Sequence, residues 1–584
     1  MYKTQVRFGG ILGERLKANL DNWLLIAPLA NPAMSEMFLR HDREPRNRLV
    51  PWYGEFPGKY ITSAAAAYAC ESDSRLEKVV ENLIERLSSA QEDSGLLSPH
   101  PRSEWLKGES AWEGDRLMVP LWELWGYYHL MIGLLDWYHQ TGSPAAYRLL
   151  RTSADAVSDA FLSGSVKLEE ARAPENLGLA HGYALLYQVS GKAEDLEMMQ
   201  LILRHAESER HYVQGAKEGK QFHELPWPRW EALHVLQALG ESKDAEAQKA
   251  MLHLADGIRY TDRHNTGGFS SGERGCGDPY DPGAIETCCV VAWMALLDSC
   301  YQLSGDTKWI DELELALFNA ALGAQHPTGR WWTYSTPMDG VRFASAHTLA
   351  FQSMQGSPEL NCCSVNGPRI LGMTAQWGLR VRGDAIEMNY YGNSRWQAAL
   401  PDGNYVHITQ STNYPSASHV ELIVSPARRV RFKLRLRIPA WSQNTRVVLC
   451  GKAFTPPSGN YFDIEKEWTP CEKIEVFFDF SLHTWRGQKA CEGKYALYYG
   501  PLLLAFDQRF NAQEPGTMPV VHADSLEKIA YTDAPDWFPP QILLKDKASG
   551  AVLCDFATAG ATGSHYASWL YLQGRCRRSF FSVD

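Results

Sequence analysis

The chain has 584 residues and a formal net charge of -11. That length exceeds what one hydrophobic core supports, so two to four domains are expected, and the acidic balance argues against a nonspecific nucleic-acid binder. Hydrophobic residues at 45% and charged residues at 21% are those of an ordinary globular protein, and no apolar run is long enough to span a bilayer, so no membrane partner is expected.

The first residues, Met1-Tyr2-Lys3-Thr4-Gln5-Val6-Arg7, lack the apolar core of a signal peptide, which predicts a cytoplasmic protein. Farther along, the stretch from Leu121 to Thr141 keeps apolar residues at helical spacing and stops at Gly142, the expected C-terminal cap. The same ending returns at Leu185 to Gly191, at Val235 to Gly240 and at Leu296 to Gly305. Each period holds one helical hairpin, and stacked hairpins bury faces that none could bury alone, so an α-solenoid or a closed α/α barrel is predicted. After Arg380 the texture changes to alternating apolar runs such as Val430 to Ile438, which Pro439 ends. One or two antiparallel β-sandwiches follow from this, with a further joint at Trp485-Arg486-Gly487-Gln488. The expected division is a helical unit over 1–380 and β-sandwiches over 381–485 and 486–584.

Twelve cysteines without a regular framework read as reduced thiols. Four residues stand out: Glu286 and Cys288, two positions apart, and the adjacent pair Cys362 and Cys363. Three thiolates and one carboxylate suit zinc in a tetrahedral shell. The alternative is that the paired cysteines are buried apolar fillers. On metal, a thiolate is held deprotonated at neutral pH, so Cys362 or Cys363 is a candidate nucleophile. Glu273, on the glycine-rich loop Ser271-Gly272-Glu273-Arg274-Gly275, supplies a carboxyl for general acid catalysis. The 20 tryptophans and 26 tyrosines include clusters beside polar groups, Trp52-Tyr53-Gly54-Glu55 and Trp227-Pro228-Arg229-Trp230. Such faces suit sugar rings, although most aromatic residues pack the core.

Glu286-x-Cys288 with Cys362-Cys363-x-x-Asn366-x-x-Arg369 resembles the signature of glycoside hydrolase family 127, the zinc-dependent, cysteine-nucleophile β-L-arabinofuranosidases. Asn389 to Ser394, Leu436 to Trp441 and Tyr499 to Leu502 resemble later markers of that family, so the likeness runs along nearly the whole chain. The resemblance implies an (α/α)6 barrel followed by β-sandwiches, a Zn2+ cofactor on Glu286, Cys288, Cys362 and Cys363, Cys362 as nucleophile and Glu273 as acid/base. It implies removal of a terminal L-arabinofuranose-like sugar, with a plant cell-wall oligosaccharide as the partner molecule. By the same likeness His129 and His234 are candidate substrate-binding residues, with a satisfied core histidine as the alternative for His234. One departure is Asn361-Cys362-Cys363-Ser364-Val365-Asn366, where the family usually carries Glu-Cys-Cys-Pro-Pro-Asn. Lys59, in Gly58-Lys59-Tyr60, is a candidate to pair at the pocket rim with the carboxylate of an acidic pectin sugar. The ordinary alternative is a solvated surface lysine.

Two rival classes fit parts of the pattern. A sugar epimerase or lyase on the same barrel would form no covalent intermediate, and a carbohydrate-binding protein would use zinc only structurally. No Rossmann or P-loop glycine pattern is present, so nucleotide cofactors are not expected. The sequence leaves a homodimer open.

Overall fold

The computed structural model describes residues 4–43, 49–108, 119–348, 359–531 and 538–583. Its N-terminal two-thirds is helical and the remainder is built of strands. The helices Glu55–Cys70, Glu123–Thr141, Leu179–Ser190, Ala232–Glu241 and Thr287–Ser304 pack in succession, each against the next. The short segments Cys362–Asn366 and Arg369–Gly372 then close the ring onto Glu55–Cys70. These inner helices are apolar on all sides because they are enclosed on all sides; Thr287–Ser304 is buried without a break from Thr287 to Tyr301.

Helices Ser74–Ala90, Pro144–Leu162 and Ala245–Thr261, each following an inner one, are amphipathic and bury one face, whereas Thr307–Leu315 is buried almost throughout. Ser74–Ala90 buries Leu76, Val80, Leu83, Ile84 and Leu87 along one stripe. Its first turn is capped by Asp73, whose carboxylate accepts from the backbone N–H of Arg75 at 2.7 Å. Gly142, Gly191 and Gly305 end their helices in the left-handed conformation, with φ of 73°, 64° and 69°. Gly240 does not. It lies inside Ala232–Glu241, and a Cβ there would stand 2.5 Å from the Met251 sulfur of the next helix. Gly240 therefore marks a close approach to the Met251 side chain and not a cap.

The strand-rich part of the chain begins at Leu379. A seven-stranded sheet and a four-stranded sheet are formed largely from residues 379–477, and in Val430–Ile438 the apolar side chains Phe432, Leu434 and Leu436 alternate inward. Gln5–Phe8 pairs antiparallel with Ser394–Ala399 and forms the edge of the seven-stranded sheet. Gln5–Phe8 therefore sits in a β-sheet, although it precedes the whole barrel. A ten-stranded sheet occupies the C-terminal region and also takes in Asp339–Gly340 from the helical part.

Arg437 ties barrel to sheet. It is fully buried, reaches Glu314 at 2.6 Å and also pairs with Asp311, both of which follow the inner helix Thr287–Ser304. Trp441 Nε1 donates to the other oxygen of Glu314 at 2.9 Å. Arg437→Met leaves two buried carboxylates facing no cation, a change that costs about 3–5 kcal/mol. A lower thermal unfolding midpoint or loss of soluble protein is the expected result.

Candidate active site

At one end of the barrel, Glu286 ends the short strand Ile285–Glu286, which pairs with Ser335–Thr336. The inner helix Thr287–Ser304 starts on the next residue, so Cys288 occupies its first turn, where the helix dipole favours a thiolate. Cys362 and Cys363 open the helix Cys362–Asn366, whose cap is Asn361: its side chain accepts from Ser364 N–H at 3.0 Å. The residue that departs from the family pattern thus performs a capping role here.

The four ligand atoms of Glu286, Cys288, Cys362 and Cys363 all lie within 4.8 Å of one another. Glu286 Oε1 is 3.3 Å from the Cys363 sulfur and 3.6 Å from that of Cys362, and the Cys363 and Cys288 sulfurs are 3.7 Å apart. Adjacent cysteines have been gathered onto one point, as a shared ion requires. Burial opposes ionisation of Cys288, yet thiol donors from Cys362 and Cys363, the charge of Lys59 and the Asn366 amide bring it well below the usual thiol range. Cys362 and Cys363 are driven up, Cys362 chiefly by hydrogen bonding to Cys288 and Cys363 chiefly by burial. Burial and the Cys288 charge likewise hold Glu286 well above the usual carboxylate range. Four acidic donors crowd together with Lys59 as the nearby cation, and a divalent metal replacing their protons fits both geometry and charge. Cys289 adds a fourth sulfur, 3.7 Å from Glu286 Oε2, the carboxylate oxygen that Cys362 and Cys363 do not approach.

Glu273 is placed on the facing loop. Its φ is 65°, and its side chain is 30% exposed. Arg229 Nη2 donates to Oε2 at 2.8 Å, and Tyr334 OH donates to Oε1 at 3.1 Å. Tyr334 links the loop to the thiols: burial, and then the negative charge of Cys362, raise its phenol far above the ordinary range and keep it a donor. Arg229 is shared, with Glu231 at 2.9 Å and Glu175 at 3.7 Å. Burial and the neighbouring Glu231 push Glu175 up to about 8.

Lys59 is neither at a rim nor solvated. It is 0% exposed on the inner helix Glu55–Cys70, with Nζ 2.7 Å from Glu55 Oε2 and 3.8 Å from the Cys288 sulfur. Trp125 and Trp230 flank it, their ring centroids 5.7 Å and 5.2 Å from Nζ. His129 is buried against Trp125, ring centroids 4.4 Å apart, and neither ring nitrogen has a hydrogen-bond partner. His234 is held: its Nδ1 lies 2.8 Å from both Tyr128 OH and Gln237 Oε1. Burial lowers both imidazoles well below their ordinary range, so they are neutral. Tyr334 and Cys289 were not singled out from sequence, and Glu55 and Arg229 stood out only as the polar members of aromatic clusters. Glu55 and Lys59 carry the four-residue spacing that joins opposite charges on a helix, whereas Arg229 and Tyr334 meet Glu273 only through the fold.

Five inner helices and two short closing segments form a closed ring in which a carboxyl loop accompanies a thiol cluster, an arrangement that places the protein in the α/α-barrel class of carbohydrate-active enzymes. The β-L-arabinofuranosidase GH127 catalytic-domain profile matches residues 10–375, and the GH127 middle-domain profile matches 385–480. The chain belongs to the GH127 β-L-arabinofuranosidase family. Among solved structures, it is similar to Ara127N-Se, a GH127 β-L-arabinofuranosidase from Geobacillus stearothermophilus T6. The two share 19% identity and a TM-score of 0.78 over 97% of this chain and 100% of that one. The GH127 β-arabinofuranosidase BT3674 gives 18% identity and a TM-score of 0.80, over 98% of each chain. No curated protein matches the chain. Among the described residues no helix is long and apolar enough to cross a membrane.

Proposed function

We propose that the protein is an exo-acting, retaining hydrolase of terminal β-L-arabinofuranose-like sugars, with Cys362 as nucleophile and Glu273 as acid/base. The observation that carries the choice of Cys362 is accessibility. Cys362 is 9% exposed, whereas Cys363 and Cys288 are at 0%. Of the three cluster cysteines, Cys362 is the one that retains exposure.

In the first step the Cys362 sulfur bonds the anomeric carbon while the glycosidic oxygen departs with the proton of Glu273. In the second, the Glu273 carboxylate takes a proton from water, whose oxygen attacks the same carbon, and the carbon–sulfur bond breaks to return the thiolate. Arg229 and Tyr334 fix the Glu273 carboxylate in place for both transfers. Bound at Glu286, Cys288, Cys362 and Cys363, zinc would keep the sulfurs deprotonated and moderate their basicity. Neutral His129, with two unpartnered nitrogens, is available to sugar hydroxyls, while Tyr128 and Gln237 already hold His234 Nδ1. An acidic sugar finds less support, because the Lys59 charge is already matched by Glu55.

Chelation by a strong zinc ligand is expected to abolish hydrolysis of an aryl β-L-arabinofuranoside, and stoichiometric Zn2+ to restore it. Full activity in a preparation shown to contain no metal would refute the proposed site.

A further inference from the structure

Three buried polar atoms around Trp125 lack partners: Glu55 Oε1 and both ring nitrogens of His129. Glu55 Oε2 accepts from Lys59 and from Trp125 Nε1. The Lys59 ammonium carries three N–H donors, and its contacts are Glu55 Oε2 and the Cys288 sulfur. An unfilled carboxylate oxygen, an ammonium and a neutral imidazole thus converge beside the thiols, walled by Trp125 and Trp230. Native interiors leave few such groups unsatisfied, and the exceptions mark places where a ligand or water completes the set.

We infer that Lys59 and Glu55 determine which glycone is accepted: Glu55 Oε1 accepts from, and Lys59 Nζ donates to, uncharged hydroxyl groups of the sugar bonded at Cys362. The inference rests on the glycosidase reading and narrows its substrate to a neutral sugar. Lys59 Nζ is 2.7 Å from Glu55 Oε2 and 3.8 Å from the Cys288 sulfur, so its charge is already matched by Glu55. A sugar carboxylate placed there would meet the Glu55 carboxylate at short range. A hydroxyl can give its proton to Glu55 and take one from Lys59 at once, which no carboxylate can do. The four-residue spacing on a helix buried at nearly every position holds the two groups in fixed register.

The test is calorimetric binding to the zinc-loaded full chain carrying Glu273→Gln to stop turnover. The probes are methyl β-L-arabinofuranoside, its 2-, 3- and 5-deoxy analogues, the analogue oxidised to a carboxylate at C5, and a panel of other neutral methyl glycosides. Lys59→Met and Glu55→Gln are each expected to weaken the parent ligand about 10- to 100-fold. Each should also weaken one deoxy analogue, lacking the hydroxyl that is read, by less than about threefold, as non-additivity at a shared contact requires. Metal content should match the unsubstituted chain. Equal weakening for parent and every deoxy analogue overturns the inference, as does tighter binding of the carboxylated analogue. Loss of zinc from both variants also overturns it, since the pair would then serve the thiolate cluster. If the unsubstituted chain hydrolyses no arabinofuranoside but the coupling appears with another neutral glycoside, the proposed substrate falls and this inference stands.

Discussion

Cys362→Ser is expected to lower kcat/KM on an aryl β-L-arabinofuranoside by at least about 10³-fold, with zinc retained at a substantial fraction of the original stoichiometry. A serine oxygen can still approach a metal, but it is a far poorer nucleophile than a thiolate and a far poorer leaving group in the second step. Cys363→Ser serves as the contrast. Cys363 is fully buried and its sulfur lies nearest Glu286 Oε1, at 3.3 Å, so its loss should act through metal binding. A haloacetamide-bearing L-arabinofuranose analogue should add once to the unsubstituted chain, at Cys362, by intact-protein mass spectrometry. A single adduct on Cys363, or unchanged turnover by Cys362→Ser, would reverse the assignment of the nucleophile.

The parts of this site that were legible in the sequence are those fixed by short spacing and unusual chemistry. Glu286-x-Cys288 and Cys362-Cys363 declare themselves because four soft or acidic donors in two tight groups are rare, and the fold brings them within 4.8 Å. The helical hairpins were legible from apolar periodicity and from glycine caps at Gly142, Gly191 and Gly305. Gly240 shows where that signal fails, since a glycine inside a helix, packed close to Met251, looks the same in sequence as a cap. Lys59 shows a second limit. A lysine in a sequence reads as solvated, and only the fold reveals that Glu55 and a thiolate make its burial tolerable. Gln5–Phe8 shows a third, because pairing with Ser394–Ala399 depends on where the chain returns after the entire barrel. Arg229 and Tyr334 belong to the same class: they converge on Glu273 from separate loops, and no local pattern encodes that meeting.

Glu273→Gln is expected to divide the two chemical steps. With an alkyl or sugar leaving group the departing oxygen needs a proton, and the amide cannot give one in the way an acid does, so turnover should fall about 10²- to 10⁴-fold. An aryl leaving group of low pKa needs no such help, and its departure should stay fast. Water must still be deprotonated in the second step, so the glycosyl thioether on Cys362 should accumulate and become visible as a mass increment of one sugar. Arg229 and Tyr334 now donate to a neutral amide, which weakens their grip without emptying the space. Glu273→Ala empties it, and azide, which needs no base, should then release the sugar as a glycosyl azide with retained configuration. The pattern of slow hydrolysis, fast aryl release and azide rescue belongs only to a group that gives a proton first and takes one later. Equal slowing of all substrates, with no trapped sugar and no rescue, would make Glu273 a positioning residue and send the search for the acid to Glu231 or Glu175, the other carboxylates gathered around Arg229.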